Sequence, residues 1–218
     1  MKKIIGSTFL ITVLLIGLVI FLEPQASFGA FVDDQVIVTQ VVTEEISIDS
    51  PADVDMSPDI PGMTGGNSDG NCTWTVITNN LAGFNMGLTA STTPAMQDVS
   101  ANSFADYTPA GAPPDFDWSV AAADSEFGFS PYGTTTPANV AAAFKYTGTT
   151  CNSGTTTADG KCWRGFNGAT AIPVFSRSTP TTSSGEAEKI NYKATSGASH
   201  FQIAGTYHAY ITATATTN

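Results

Sequence analysis

Residues 72–91 read CTWTVITNNLAGFNMGLTAS. In the first half Trp74, Val76 and Thr78 fall on one face, and Thr73, Thr75 and Ile77 on the other. In the second half Phe84, Met86, Leu88 and Ala90 alternate with Asn85, Gly87, Thr89 and Ser91. A period of two in β-branched and aromatic residues marks a half-buried strand. Between the halves, Asn79-Asn80-Leu81-Ala82-Gly83 supplies residues that tolerate positive φ, so the stretch predicts a hairpin. The Trp74 face and the Phe84/Met86/Leu88 face are expected to enter one core.

The rest of the chain extends this β pattern. Val36, Val38 and Gln40 alternate with Ile37, Thr39 and Val41, and Ile46 and Ile48 alternate with Glu45, Ser47 and Asp49. The first pattern predicts an exposed N-terminal strand or tether over 31–43, the second the first strand of a domain over 44–218. Further strands are expected at Phe116-Trp118-Val120 and Ile190-Tyr192-Ala194. A closing strand is expected over 202–217, where Tyr207, Ala209, Ile211 and Ala213 share a face. It would pair beside the N-terminal strands. Residues 51–71 and 177–185 read as loops, and Glu126–Gly133 as an aromatic turn. Thr136, Pro137 and the alanines up to Tyr146 predict one short helix, with Thr136 as its cap. The fold class expected is all-β, an Ig-like or jelly-roll-type antiparallel sandwich with one short helix insertion.

Residues 1–30 stand apart. Lys2 and Lys3 precede an apolar run from Ile4 to Leu22, and small residues at Ser27 and Gly29 offer a peptidase site before Ala30. This is the pattern of a signal peptide; an uncleaved N-terminal anchor and a leader cut after Gly6 are the alternatives. The chain has 8 basic and 19 acidic residues, a formal net charge of −11. That charge argues against nucleic acid and anionic membrane surfaces as partners, so the membrane would be met only through the N-terminal segment. Cys151 and Cys162 bracket a loop with turn signals at Gly154 and Asp159-Gly160, which predicts a disulfide and a secreted or cell-surface location. Cys72 is left over, either buried or pairing between chains.

The sequence offers little catalytic chemistry. Ser199 and His200 are adjacent without an orienting carboxylate. Asp115, Asp117, Asp124 and Glu126 could hold a glycosidase pair, the basis of a secreted-hydrolase alternative. The expectation is that the protein is not an enzyme. Asp53, Asp55, Ser57 and Asp59 alternate as in a calcium loop, but Pro58 and Thr64 stand where such a loop needs Gly and Glu. Asn67, Asp69 and Asn71 are a second set of oxygen donors. No cofactor is expected, with Ca2+ as the alternative. Trp118, Phe127, Phe129, Tyr132 and Trp163 are more aromatic surface than one small core requires. Of these, Trp118, Phe127, Tyr132 and Trp163 are the ligand-binding candidates, suited to sugar rings or to protein docking.

The stretches TWTVITNNLAGFNMGLTAS (73–91) and GTYHAYITATATTN (205–218) resemble parts of bacterial cell-surface β-sandwich domains, including the WxL-type domains and secreted pilus-like subunits. The resemblance implies a surface role, although no Trp-x-Leu motif occurs and no functional residue carries over. The expected function is therefore an exported, non-enzymatic surface or pilus-like structural or adhesive protein. A carbohydrate-binding or calcium-dependent adhesin module is the alternative. Its partners would be other surface proteins, further copies of itself, or glycans. In a pilus-like subunit, residues 35–41 would add as a strand to a neighbour's sheet edge.

Overall fold

The structure, a computed structural model, describes residues 32–218, so the predicted leader at 1–30 lies outside the described residues. The chain separates into two units at Val41/Val42. In the first, residues 32–41 form no strand, and their side chains are exposed. The alternating pattern at 36–41 is thus a tether here and not a paired strand.

The second unit is an all-β sandwich. Its strands are β1 (Ile46–Asp49), β2 (Gly66–Thr78), β3 (Phe84–Ala90), β4 (Met96–Gln97), β5 (Ser103–Asp106) and β6 (Ser125–Gly133), followed by β7 (Tyr146–Thr147), β8 (Thr150–Cys151), β9 (Ile172–Arg177), β10 (Glu186–Ser196), β11 (His208–Ala209) and β12 (Ile211–Thr217). One sheet has the order β1-β2-β10-β6-β5-β4-β11 and the other β12-β3-β9, while β7 and β8 form a small ribbon. β10 is the spine of the large sheet, antiparallel to β2 from Glu186↔Val76 to Ser196↔Gly66 and to β6 from Glu188↔Gly133 to Ser196↔Ser125. Every second residue of β10 is buried. Val76, Ile190 and Phe129 from the large sheet meet Phe84, Met86, Leu88, Val174 and Phe175 from the small one, all at most 1 % exposed.

The stretch at 72–91 is not a hairpin. β2 and β3 belong to opposite sheets, and residues 79–83 arch between them. Both edges of β2 are already occupied, by β1 and β10. The two apolar faces therefore meet face to face across the core instead of side by side. The arch is built by Asn80, whose side-chain oxygen accepts from the Ala82 amide at 2.7 Å, and by Gly83 at φ 79°. A Cβ at Gly83 would lie 2.2 Å from the Arg177 carbonyl oxygen.

Other expectations are corrected too. Residues 126–133 are the strand β6, not a turn, despite Gly128, Pro131 and Gly133; β10 pairs along this whole stretch. Residues 116–120 are not a strand; the local ladder is a single bridge, Asp115↔Trp163. The predicted helix is two 3-10 turns, Pro137–Asn139 and Ala142–Phe144. Thr136 makes no capping bond, because its hydroxyl donates to Glu186 Oε2 at 2.7 Å. The closing segment divides between the sheets. β11 pairs with β4 and β12 with β3, rather than with the N-terminal strands. One junction is parallel, with Ala105 opposite Glu126 and Asp106 opposite Phe127.

Cys151 and Cys162 form the expected disulfide, with Cα atoms 5.8 Å apart. Closing an 11-residue separation contributes roughly 2–3 kcal/mol by loop entropy.

Candidate functional site

A shallow groove of about 630 Å3 lies where one end of β2 and β10 meets the loop carrying Trp118. Trp118, Asn67, Lys193, Thr195, Ser196 and Gly197 are among its walls. The indole of Trp118 is held on three sides. It stacks on Tyr107 with centroids 4.1 Å apart and meets Trp163 edge-on at 5.4 Å. Its Nε1 donates to Thr195 Oγ1 at 2.7 Å, and that hydroxyl donates in turn to Asn67 Oδ1 at 2.6 Å. Thr195 and Asn67 are cross-strand partners, so strand register places the indole. Gly128 is a close-approach glycine beneath this cluster. A Cβ there would lie 2.7 Å from the Arg164 carbonyl oxygen and 3.0 Å from Trp118 Cζ3. Lys193 pairs with Asp69 at 2.8 Å. The arrangement offers a fixed, half-buried aromatic plate rimmed by hydroxyls, an amide and one ammonium. Such a surface suits a ligand with apolar C–H faces and many hydroxyls.

Of the four aromatic candidates, the structure brings Trp118 and Trp163 together and separates the other two. Trp163 supports Trp118 from within; it is 5 % exposed and its Nε1 donates to the Gly160 carbonyl at 2.9 Å. Phe127 is 2 % exposed and Phe129 fully buried, stacked or tilted against Phe166, so they are core and not ligand surface. They alternate on β6 facing inward, which the turn reading of 126–133 concealed. Tyr132 lies opposite Lys189, towards the far end of β6 from the groove.

The polar candidates are occupied locally. Asp115 accepts from the Ala110 amide at 2.8 Å and the Tyr107 hydroxyl at 3.2 Å, and Asp117 pairs with Lys161. Burial pushes the Tyr107 hydroxyl up to about 12. Glu126 accepts from the Thr108 amide at 3.2 Å, and burial raises its carboxyl above the usual range. His200 Nδ1 lies 2.9 Å from the Ala123 carbonyl oxygen. In the 51–60 loop the carboxylates of Asp53, Asp55 and Asp59 are exposed, while Val54 and Met56 pack over Gly70. Among the described residues no three His, Cys, Asp or Glu side chains converge as a metal set.

A buried polar cluster joins the two sheets. Glu186 and Glu188 are inward residues of β10, 3 % and 0 % exposed. Arg177 of β9 reaches Glu186 Oε1 at 2.9 Å, and Asn139 donates to Glu188 Oε1 at 3.0 Å. Among the described residues Glu188 Oε2 has no partner. Burial, helped by the neighbouring Glu186 charge, pushes the Glu188 carboxyl up to about 8, against the Asn139 hydrogen bond. The sequence carried a signal for this pair. Continuing the Ile190-Tyr192-Ala194 face back by two and four residues lands on Glu188 and Glu186. Further along the same face Tyr192 OH lies 3.6 Å from Cys72 Sγ. Cys72 is free and buried, and desolvation raises its thiol pKa.

Protein-family models, curated proteins and solved structures were all compared with this chain, and none matches it.

Proposed function

We propose that this protein is an exported, non-enzymatic adhesive module of a cell surface, and that it binds a glycan in the groove beside Trp118. The carrying observation is the Trp118–Thr195–Asn67 chain of hydrogen bonds, which fixes an indole at the edge of a hydroxyl-rich groove. A sugar ring stacks its C–H face on such a plate and satisfies its hydroxyls at the rim. Lys193 is drawn back to Asp69, which favours a neutral or weakly acidic sugar over a strongly anionic one. Export is supported by the Cys151–Cys162 disulfide and by the basic, then apolar, residues at 2–22.

A glycan array followed by calorimetry tests the reading. The wild type is expected to retain a defined set of glycans at micromolar to millimolar Kd, with Trp118→Ala losing them at least tenfold. Asn67→Ala, on an exposed position, is expected to weaken binding while leaving Tm nearly unchanged. Equal binding by wild type and both variants, or no glycan retained at all, overturns it.

A further inference from the structure

β12 is an edge strand without the usual protection of an edge. β3 pairs with it in register over seven positions, Ile211↔Ala90 to Thr217↔Phe84. Among the described residues no strand pairs with its other side. Its sequence, ITATATT, holds no charge, proline or glycine, and its register with β3 has no bulge. Edge strands normally carry one of these devices, or are short or covered. The remaining edges of the two sheets, among the described residues, do. β9 has Pro173, a register shift and a cover made by the Ala141 amide on the Val174 carbonyl at 2.8 Å. β1 has four residues and β11 two.

The direction of the free groups follows from the ladder. Tyr210 O accepts from the Ser91 amide, and the Asn218 amide donates to Gly83 O. Even-numbered residues therefore turn their backbone towards β3, and Ile211, Ala213, Ala215 and Thr217 turn theirs to the open side. On that side the inner faces are incompletely covered: Ile46, Ile48, Ile211, Ala213 and Ala215 are only partly buried.

The same chain carries a segment of strand-forming composition that belongs to no sheet. Residues 36–42, VIVTQVV, are uncharged, free of proline and glycine, and β-branched at every position but Gln40. Val36, Ile37, Val38, Val41 and Val42 are 74–89 % exposed. Leaving five large aliphatic side chains in water is unfavourable, and a seven-residue strand matches a seven-residue edge. The chain just after this segment is held: Asn79 Nδ2 donates to Thr43 O at 2.8 Å, and Asn79 Oδ1 accepts from the Glu45 amide at 2.7 Å. That clamp fixes the chain just ahead of β1.

From these observations we infer that residues 36–42 of one copy pair as an added strand with the open edge of β12 in a second copy. Val36, Val38, Gln40 and Val42 lie on one face of such a strand, and the three valines would extend the core over the half-buried isoleucines. Donor and acceptor are different surfaces, so the contact is head-to-tail and propagates into a filament. It is independent of the Trp118 groove.

Two single variants of the exported protein test this. Ala213→Pro removes one outward amide and no bond to β3. Val38→Pro breaks the donor in a segment outside the sandwich. Analytical ultracentrifugation should find wild-type oligomers that grow with concentration. Each variant alone should stay monomeric, with Ala213→Pro within a few degrees of the wild-type Tm and Val38→Pro at it. An equimolar mixture should form a dimer and stop, because Ala213→Pro keeps an intact donor and Val38→Pro an intact edge. A wild type that is monomeric throughout, variants that assemble as it does, or a mixture that stays monomeric overturns the inference. A monomer in which amides 36–42 are protected from exchange does so too, by showing pairing within one chain.

Discussion

Glu188 is the residue most at odds with its surroundings. Its carboxyl is buried, one oxygen has no partner among the described residues, and Arg177 is committed to Glu186. Burial raises the pKa of this carboxyl in the folded state to about 8, from an ordinary 4.5. A raised carboxyl binds its proton more tightly in the folded state. Stability is then full below about pH 4.5 and falls as pH rises towards 8, by on the order of 4 kcal/mol. Thermal melts across pH 5–9 should show Tm dropping up to about pH 8 and levelling beyond. Glu188→Gln should flatten that slope and raise Tm at pH 8. An unchanged slope in Glu188→Gln would remove Glu188 as its cause. The residue was readable by position and not by type. Its place on the inward face follows from the alternation through Ile190, but carboxylates are seldom fully buried, and that expectation hid it. Cys72 shows the opposite balance: a small, weakly polar side chain on an inward position goes where periodicity sends it.

At the level of elements, alternation located β1, β2, β3, β10 and β12 but also marked 116–120, which is no strand, and turn chemistry misled where glycine and proline had other tasks. β6 contains Gly128, Pro131 and Gly133, yet β10 pairs with it throughout. Gly128 is there because Tyr107, Arg164 and Trp118 press on it, a tertiary requirement that no local pattern contains. Gly128→Ala should cost about 1–3 kcal/mol by overpacking and should loosen Trp118, read as a lower Tm with altered indole fluorescence. A neutral Gly128→Ala would mean that the aromatic cluster yields freely. The Cys151–Cys162 loop was legible from spacing alone, because two cysteines across paired turn signals have few other partners. Cys151→Ser with Cys162→Ser should lower stability by roughly 2–3 kcal/mol, or Tm by about 5–10 °C. The groove was legible in part. Trp118 stood out as an aromatic among polar residues, while its partners Thr195 and Asn67 come from strands distant in sequence and meet only through register.

For the molecule as a whole, class was readable and connectivity was not. Hydroxyl-rich composition and repeated period-two patterns imply two apolar faces in contact. They are silent on whether consecutive strands lie side by side or face to face, and β2 and β3 chose the second. That choice sets where the chain meets its environment. β1 and β12 are edge strands of opposite sheets, and they approach each other on one side of the sandwich. Tension entering through the chain ahead of β1 and leaving through β12 would be borne first by the β1–β2 and β12–β3 ladders. β6 and the disulfide loop pair with none of β1, β2, β3 and β12, so they would carry less of that load.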